Sequence, residues 1–186
     1  MEKRKPPFAP DAANERKEPL SVIALLVLPR HSAVMKHSLQ IRLAQESDAG
    51  QISGLVQKTI RISNAQDYSH AVIERVVANF STDTVQRLLK TRTVLVAIKN
   101  NVTVGTASLD GEVVRTVFVD PDVQGQGVGR QLMKAIEITA KRGGTTMLQV
   151  PASLTAKPFY AQLGYTEVRD VFHGEERTVI MEKGIG

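Results

Sequence analysis

The stretch Val119–Met133, VDPDVQGQGVGRQLM, places three glycines within five residues just ahead of an amphipathic run. Glycine loses more conformational freedom on folding than other residues, so the cluster answers a demand on the backbone. Two demands fit: a sharp turn that packs a strand tightly on a helix, or a ligand brought close to the main chain. Upstream, Val113–Val119 reads as an apolar strand. Downstream, Leu132, Met133, Ile136, Thr139 and Ala140 recur at helical spacing until Gly143-Gly144 stops them. The cluster is a strand–turn–helix junction.

Three known uses of such glycines fail here. A P-loop requires Lys-Ser or Lys-Thr, and neither follows. The dinucleotide fingerprint starts well at Gly125 and Gly127, but Arg130 stands where its third glycine belongs. Asp120, Asp122 and Gln124 faintly imitate a calcium loop, whose twelfth position would be Gln131 and not a chelating glutamate. What remains is Gln124-Gly125-Gln126-Gly127-Val128-Gly129-Arg130 opening a helix. Without β-carbons, successive N–H groups stay accessible and can converge on an anion at the positive end of the helix. Arg130 adds a cation beside them. Such a turn suits a pyrophosphate.

Outward from the junction, alternation at Leu39, Ile41 and Leu43 predicts a strand. Asp48 is an expected N-cap with Gln51 three residues on, before a helix carrying Ile52, Leu55, Val56 and Ile60. Two further helical stripes follow, over Val72–Phe80 and Val85–Leu89. Val94–Ile98 and Val102–Leu109 are expected strands joined by Asn100-Asn101, and Asp110-Gly111 turns the chain into Val113–Val119. Beyond the glycines come a strand at Thr146–Val150, a short helix at Thr155–Leu163 closed by Gly164, and strands at Tyr165–Val171 and Arg177–Glu182. Strict strand–helix alternation and internal repeats are both lacking, so the expectation is one α/β domain with a mixed sheet.

Composition narrows the function. At 186 residues the chain can bury one genuine core. It has no cysteine, which excludes disulfides, thiolate metal sites and cysteine nucleophiles. A net charge of +5 invites a nucleic-acid reading, but residues 1–34 hold 6 Lys+Arg against 4 Asp+Glu and the remainder 18 against 15. Neither part concentrates charge, and with aromatics at 4% there is little to stack bases on. No nucleic-acid partner is expected. Leu20–Leu28 is too short to span a bilayer, so no membrane partner is expected either. Residues 1–36 are read as a disordered or extraneous extension, with Met35 as the natural start, and 37–186 as the functional domain.

The run VDPDVQGQGVGRQLM resembles the acyl-CoA pyrophosphate loop of the GNAT (GCN5-related) N-acetyltransferases, whose pattern [QR]-x-x-G-x-[GA] is filled by Gln124, Gly127 and Gly129. A second stretch, Phe159-Tyr-Ala-Gln-Leu-Gly-Tyr165, resembles the family's later F/L-Y-x-x-x-G-[FY] motif. The resemblance covers Leu39 to Lys183 and is nearest to small bacterial members whose substrates are often unassigned. One departure stands out: where the family often has asparagine, seven residues before the motif tyrosine, this chain has Ser153.

The resemblance implies a GNAT-like, mostly antiparallel sheet flanked by helices, acetyl-CoA as cosubstrate, and a small-molecule or protein amine as acceptor. It implies that the coenzyme diphosphate rests on the amides of Gly125, Gln126, Gly127, Val128, Gly129 and Arg130 beside Gln124. The pantetheine arm would follow Val117, Phe118 and Val119, with amides near Phe118 or Val119 polarising the thioester carbonyl. Ser153 would supply part of the missing asparagine's contact, and Tyr160 would donate to the departing sulfur. The expected setting is cytoplasmic, and a homodimer is compatible with the family. The general base is not readable. Glu112, Asp110 and Asp67 are the carboxylates nearest the expected acceptor. Tyr68 and His70 fall on the loop the resemblance assigns to the acceptor side, with Glu74 one turn from His70. Water-mediated deprotonation through backbone carbonyls is an equal alternative. No metal site is expected, since no histidine pair has metal spacing. A non-catalytic acyl-CoA sensor is the competing function.

Overall fold

Asn100 and Asn101 both adopt left-handed φ values, 53° and 63°, as a two-residue hairpin turn requires and as asparagine tolerates. They close the hairpin between β2 (Thr93–Lys99) and β3 (Val102–Asp110). Gly111, at φ 60°, turns β3 into β4 (Val113–Val119). The computed structural model describes residues 38–63, 69–173 and 176–186; the expected N-terminal extension, Asp67 and Tyr68 lie outside them.

Around this meander the described residues form a seven-stranded sheet in the order β1-β2-β3-β4-β5-β7-β6. β1 is Gln40–Leu43, β5 Met147–Ser153, β6 Thr166–His173 and β7 Glu176–Gly184. Every pairing is antiparallel except that of β4 with β5. The mixed, mostly antiparallel sheet is the one expected.

Helices cover both faces. α4 (Val128–Arg142) and α5 (Lys157–Gln162) lie on one face, where Leu132, Met133 and Ile136 are fully buried against Leu148, Val150, Val179 and Met181. Burying each such side chain contributes about 1.5–3 kcal/mol. On the opposite face, α1 (Ala49–Ser63), α2 (His70–Ala78) and α3 (Thr82–Thr91) enclose Ile52, Val56, Ile73, Val77 and Val85 over Val94 and Val96. α1 packs on β3 and β4 and α3 on β2, while α2 packs on α1. No helix among the described residues is long and apolar enough to cross a membrane.

Two local expectations are corrected. Asp48 directs its carboxylate backwards: it accepts from the Gln45 N–H at 2.7 Å and is gripped by both Arg42 guanidinium nitrogens at 2.7 and 2.9 Å. A 3₁₀ turn, Glu46–Asp48, therefore precedes α1. Gln51, the expected capping partner, instead accepts from the Thr103 N–H at 2.9 Å. Strand β5 also runs past Val150 through Pro151 to Ser153, and the reason lies in the site itself.

Candidate functional site

A gap between β4 and β5 organises the site. Their one parallel rung among the described residues is Val113↔Gln149, with the Gln149 N–H donating to the Glu112 carbonyl at 3.0 Å. Backbone direction alternates along a strand, so the nitrogen of Pro151 also faces β4. Proline has no N–H to give. The next rung cannot form, and the two strands part.

β4 diverges by its own device. Its register against β3 shifts between Ser108↔Arg115 and Thr106↔Phe118, which inserts one extra residue on β4. Thr116 there has φ 46°, a left-handed conformation that is rare for a β-branched residue and marks local strain. Ser108 Oγ steadies the bulge by donating to the Arg115 carbonyl at 3.1 Å and sharing a short hydrogen bond with Thr116 Oγ1. The extra residue also reverses which amides face the gap. Asp120 N–H donates to the Val104 carbonyl at 2.9 Å; by alternation Phe118 faces β3 as well, leaving the N–H groups of Val117 and Val119 on the open edge. Of the two amides expected to polarise a carbonyl, that of Val119 faces the gap and that of Phe118 faces β3. The Phe118 ring packs edge-on against Phe80 at 5.8 Å.

The glycine turn lies at the end of β4. The N–H groups of Gln124 and Gln126 close turns onto the Pro121 and Val123 carbonyls at 3.4 and 3.3 Å. Those of Gly125, Gly127, Val128, Gly129 and Arg130 have no acceptor among the described residues. The last three form the first turn of α4, whose orphan donors and dipole favour an anion. Gly125 and Gly127 take φ 75° and 83°, with nothing close to where a β-carbon would sit. Gly129 serves the other demand. A β-carbon there would stand 3.1 Å from Phe159 Cζ. The open, amide-lined turn and the tight packing thus divide between neighbouring glycines.

The side chains of the turn brace it. Gln124 donates to the Val119 carbonyl at 3.1 Å, and Gln126 accepts from Lys99 at 2.9 Å. Lys58 on α1 reaches Asp120 at 2.8 Å and Asp122 at 2.7 Å. Burial acts to raise the Asp120 pKa, but Lys58 and the Asp122 N–H together hold it below the ordinary carboxylate value. Val128 is buried, while Arg130 is exposed beside the free amides.

Across the gap, Ser153 ends β5, and its Oγ accepts from the Ala156 N–H at 3.2 Å, leaving its own proton available. Tyr160 on α5 is 5% exposed, its ring stacked edge-on to Phe159 at 5.1 Å and Tyr165 at 5.9 Å. Its hydroxyl has no hydrogen-bond partner among the described residues and is not among the fully enclosed unpaired atoms. Burial pushes the phenol well above its ordinary pKa. Phe159 connects Gly129 to Tyr160, a role the reading of single residues missed although Phe159 opens the second motif.

The acid–base candidates fare unevenly. Asp110 is shared between Arg92 at 3.3 Å and Arg115 at 3.9 Å. Glu74 is held by Arg61 through two bonds of 3.0 and 3.1 Å, with His70 acting on the same carboxylate through its charge alone. Glu112 is exposed.

A splayed strand pair with unpaired amides at the following helix terminus is matched by kinship. The family model described as acetyltransferase (GNAT) domain matches residues 64–183. The chain belongs to the GNAT family of acetyltransferases. It is 29% identical over 133 residues to the uncharacterized N-acetyltransferase YafP of Escherichia coli K12, covering 72% of this chain and 85% of that protein. A GCN5-related N-acetyltransferase from Rhodopseudomonas palustris superposes with TM-score 0.73 at 29% identity, over 79% of this chain and 96% of that one. PaiA N-acetyltransferase from Thermoplasma acidophilum, solved with coenzyme A, shares the fold at TM-score 0.70 and 17% identity, over 79% of this chain and 99% of its own.

As a GNAT acetyltransferase the protein uses acetyl-CoA as cosubstrate. The residues present fit it: five unpaired amides, two in the glycine turn and three in the first turn of α4, suit a diphosphate, and an unpaired strand edge suits a pantetheine amide. Thr116 and Pro151 went unnoticed in the sequence because nothing local distinguishes a bulge or an unneeded donor. Gly105 was missed too. A β-carbon there would lie 2.8 Å from Leu132 Cδ1, so this glycine sets how closely α4 of the acetyltransferase approaches β3.

Proposed function

We propose that the protein transfers the acetyl group of acetyl-CoA to a primary amine by direct attack within a ternary complex. The observation that carries this reading is the set of unpaired N–H groups at Gly125 and Gly127–Arg130, continuous with the open edge of β4. The coenzyme supplies an activated acyl group as a thioester. The amide of Val119, and then that of Val117, donates toward the thioester oxygen, at a few kcal/mol per well-placed donor.

The chain has no cysteine, which favours direct transfer over an acyl-cysteine relay. The nitrogen–carbon bond forms as the carbon–sulfur bond breaks, one proton leaves the amine, and the thiolate gains one. A lysine-like amine with pKa about 10.4 must shed its proton before attack. The buried, raised phenol of Tyr160 is poorly suited to full proton release, so it acts by hydrogen-bond donation to the developing thiolate. Ser153, Gln124 and Arg130 complete the coenzyme contacts, with Gln124 also pinning the end of β4.

The test is a thermal melt with acetyl-CoA followed by initial-rate kinetics with detection of released thiol. Binding raises the melting temperature, and intersecting double-reciprocal lines accompany a ternary complex. Parallel lines would overturn direct transfer; coenzyme binding without turnover on a broad amine panel would favour a sensor.

A further inference from the structure

The sheet carries a second concavity, of about 450 Å³, on the face that bears α1–α3 but on the half those helices leave bare. Its apolar surface comes from Val113, Pro151, Val171 and Ile180, and its charge from Arg115 and Arg169. Period-two alternation explains the grouping. On β5 and β7, Leu148, Val150, Val179 and Met181 point to the α4–α5 core, so Pro151 and Ile180 point the other way. The pairings Arg169↔Ile180 and Val171↔Thr178 bring β6 into the same face.

Its position follows from the splay. An acyl arm that starts at the glycine turn and follows β4 backwards, past Val119 and Val117, is stopped where β4 and β5 rejoin at Val113↔Gln149. Those two residues are part of the cavity wall. The concavity, which Arg115 lines two residues beyond Val117, therefore opens next to where the acyl carbon would arrive.

Its electrostatics are one-sided. No aspartate or glutamate among the described residues lines it. Arg169 is exposed and has no hydrogen-bond or ion-pair partner among the described residues. Arg115 lies 3.9 Å from Asp110, a carboxylate held more closely by Arg92 at 3.3 Å. The nearby Asp170 is paired with Arg177 at 2.9 Å, and Glu182 accepts from Gln149 at 2.7 Å. A polycationic amine would meet net positive charge here, two arginines against the nearby carboxylate of Glu182, whose partner Gln149 is neutral. A guanidinium fork matches a carboxylate.

We infer that this cavity is the acceptor pocket and that it takes a small amino-acid-type amine, its carboxylate held by Arg169 and Arg115 and its apolar side chain on the Val113–Pro151–Ile180 floor. The volume is within the range of small-molecule sites. The inference rests on the acetyl-transfer reading above and specifies its acceptor.

The experiment compares leucine and phenylalanine with their amides, their decarboxylated amines and spermidine, in wild type, Arg169→Ala, Arg169→Glu and Arg115→Ala. The expected result is a kcat/KM for the amino acids at least about tenfold above the matched amides and amines. Arg169→Ala removes that advantage through KM, Arg169→Glu inverts it, and the acetyl-CoA melting shift stays unchanged in both. Preference for spermidine, equal rates for acid and amide, or a preference untouched by the arginine variants would each overturn the inference while leaving acetyl transfer intact. Absence of both coenzyme-induced stabilisation and thiol release in wild type would instead remove the underlying reading.

Discussion

Val113 and Gln149 form the point at which β4 and β5 last touch as paired strands. Beyond that rung opens the gap that exposes the amides of Val117 and Val119, and the arginine-bearing cavity straddles the rung, lined by Val113 and Gln149 and, on the gap side, by Arg115 and Pro151. Pro151 and the Thr116 bulge keep the ladder from zipping further.

Pro151→Ala restores a donor toward the Val114 carbonyl. The new hydrogen bond, about 0.5–1.5 kcal/mol, is offset by the extra freedom of the unfolded chain, about 0.4–1 kcal/mol. The expected outcome is a nearly unchanged melting temperature with a several-fold higher KM for acetyl-CoA. An unchanged KM would show that the bulge alone maintains the gap.

Gly127→Ala places a β-carbon on a backbone at φ 83°. The left-handed conformation costs an L-residue roughly 1–2 kcal/mol, so the turn relaxes away from its cradle shape. Coenzyme affinity by calorimetry is expected to fall about tenfold, in line with that energy. In Gly129→Ala the added carbon presses on Phe159 at 3.1 Å, and kcat is expected to fall along with affinity because Tyr160 leans on that ring.

Tyr160→Phe keeps the ring contacts with Phe159 and Tyr165 and removes a hydroxyl that has no partner among the described residues. Stability is expected to change by no more than about 0.5 kcal/mol. The kcat is expected to drop about ten- to a hundredfold, with KM for acetyl-CoA close to wild type. Unimpaired kcat would remove Tyr160 from the chemistry.

Stability at high pH follows from the same burial. Burial pushes the phenols of both Tyr160 and Tyr165 upward, with Glu137 adding to the shift at Tyr165. The folded state holds these protons more tightly than the unfolded chain, so their contribution is complete below the ordinary value of 10.0 and is lost as pH rises through the folded values. Urea midpoints are expected to decline above about pH 10, less steeply in Tyr165→Phe.

Asp48 acts in the opposite direction. The hydrogen bonds from Arg42 lower its pKa, and the Gln45 N–H adds to this against the effect of burial. Its contribution is present above the ordinary value of 3.8 and is lost as pH falls through the lower folded value. Asp48→Asn is expected to destabilise the protein by about 1–3 kcal/mol at neutral pH and to flatten the acid limb of the unfolding curve.

Features that depend on neighbours along the chain are legible before any folding. Asn100-Asn101 specify a hairpin because two adjacent residues must both be left-handed, and Gly125 and Gly127 specify the cradle for the same local reason. The stripe of Leu132, Met133 and Ile136 names the buried face of α4 without help from any other element. Tertiary structure decided what depends on register between strands. Whether Phe118 or Val119 presents its amide to the gap turns on one extra residue opposite Ser108, and whether Pro151 interrupts a strand or opens a site turns on which neighbour its nitrogen faces. Arg115 and Arg169, on strands distant in sequence, share a cavity only because β6 pairs with β7 and β7 with β5. A strand's own pattern repeats every two residues and carries no record of its partner's phase; only packing of the whole sheet sets that phase.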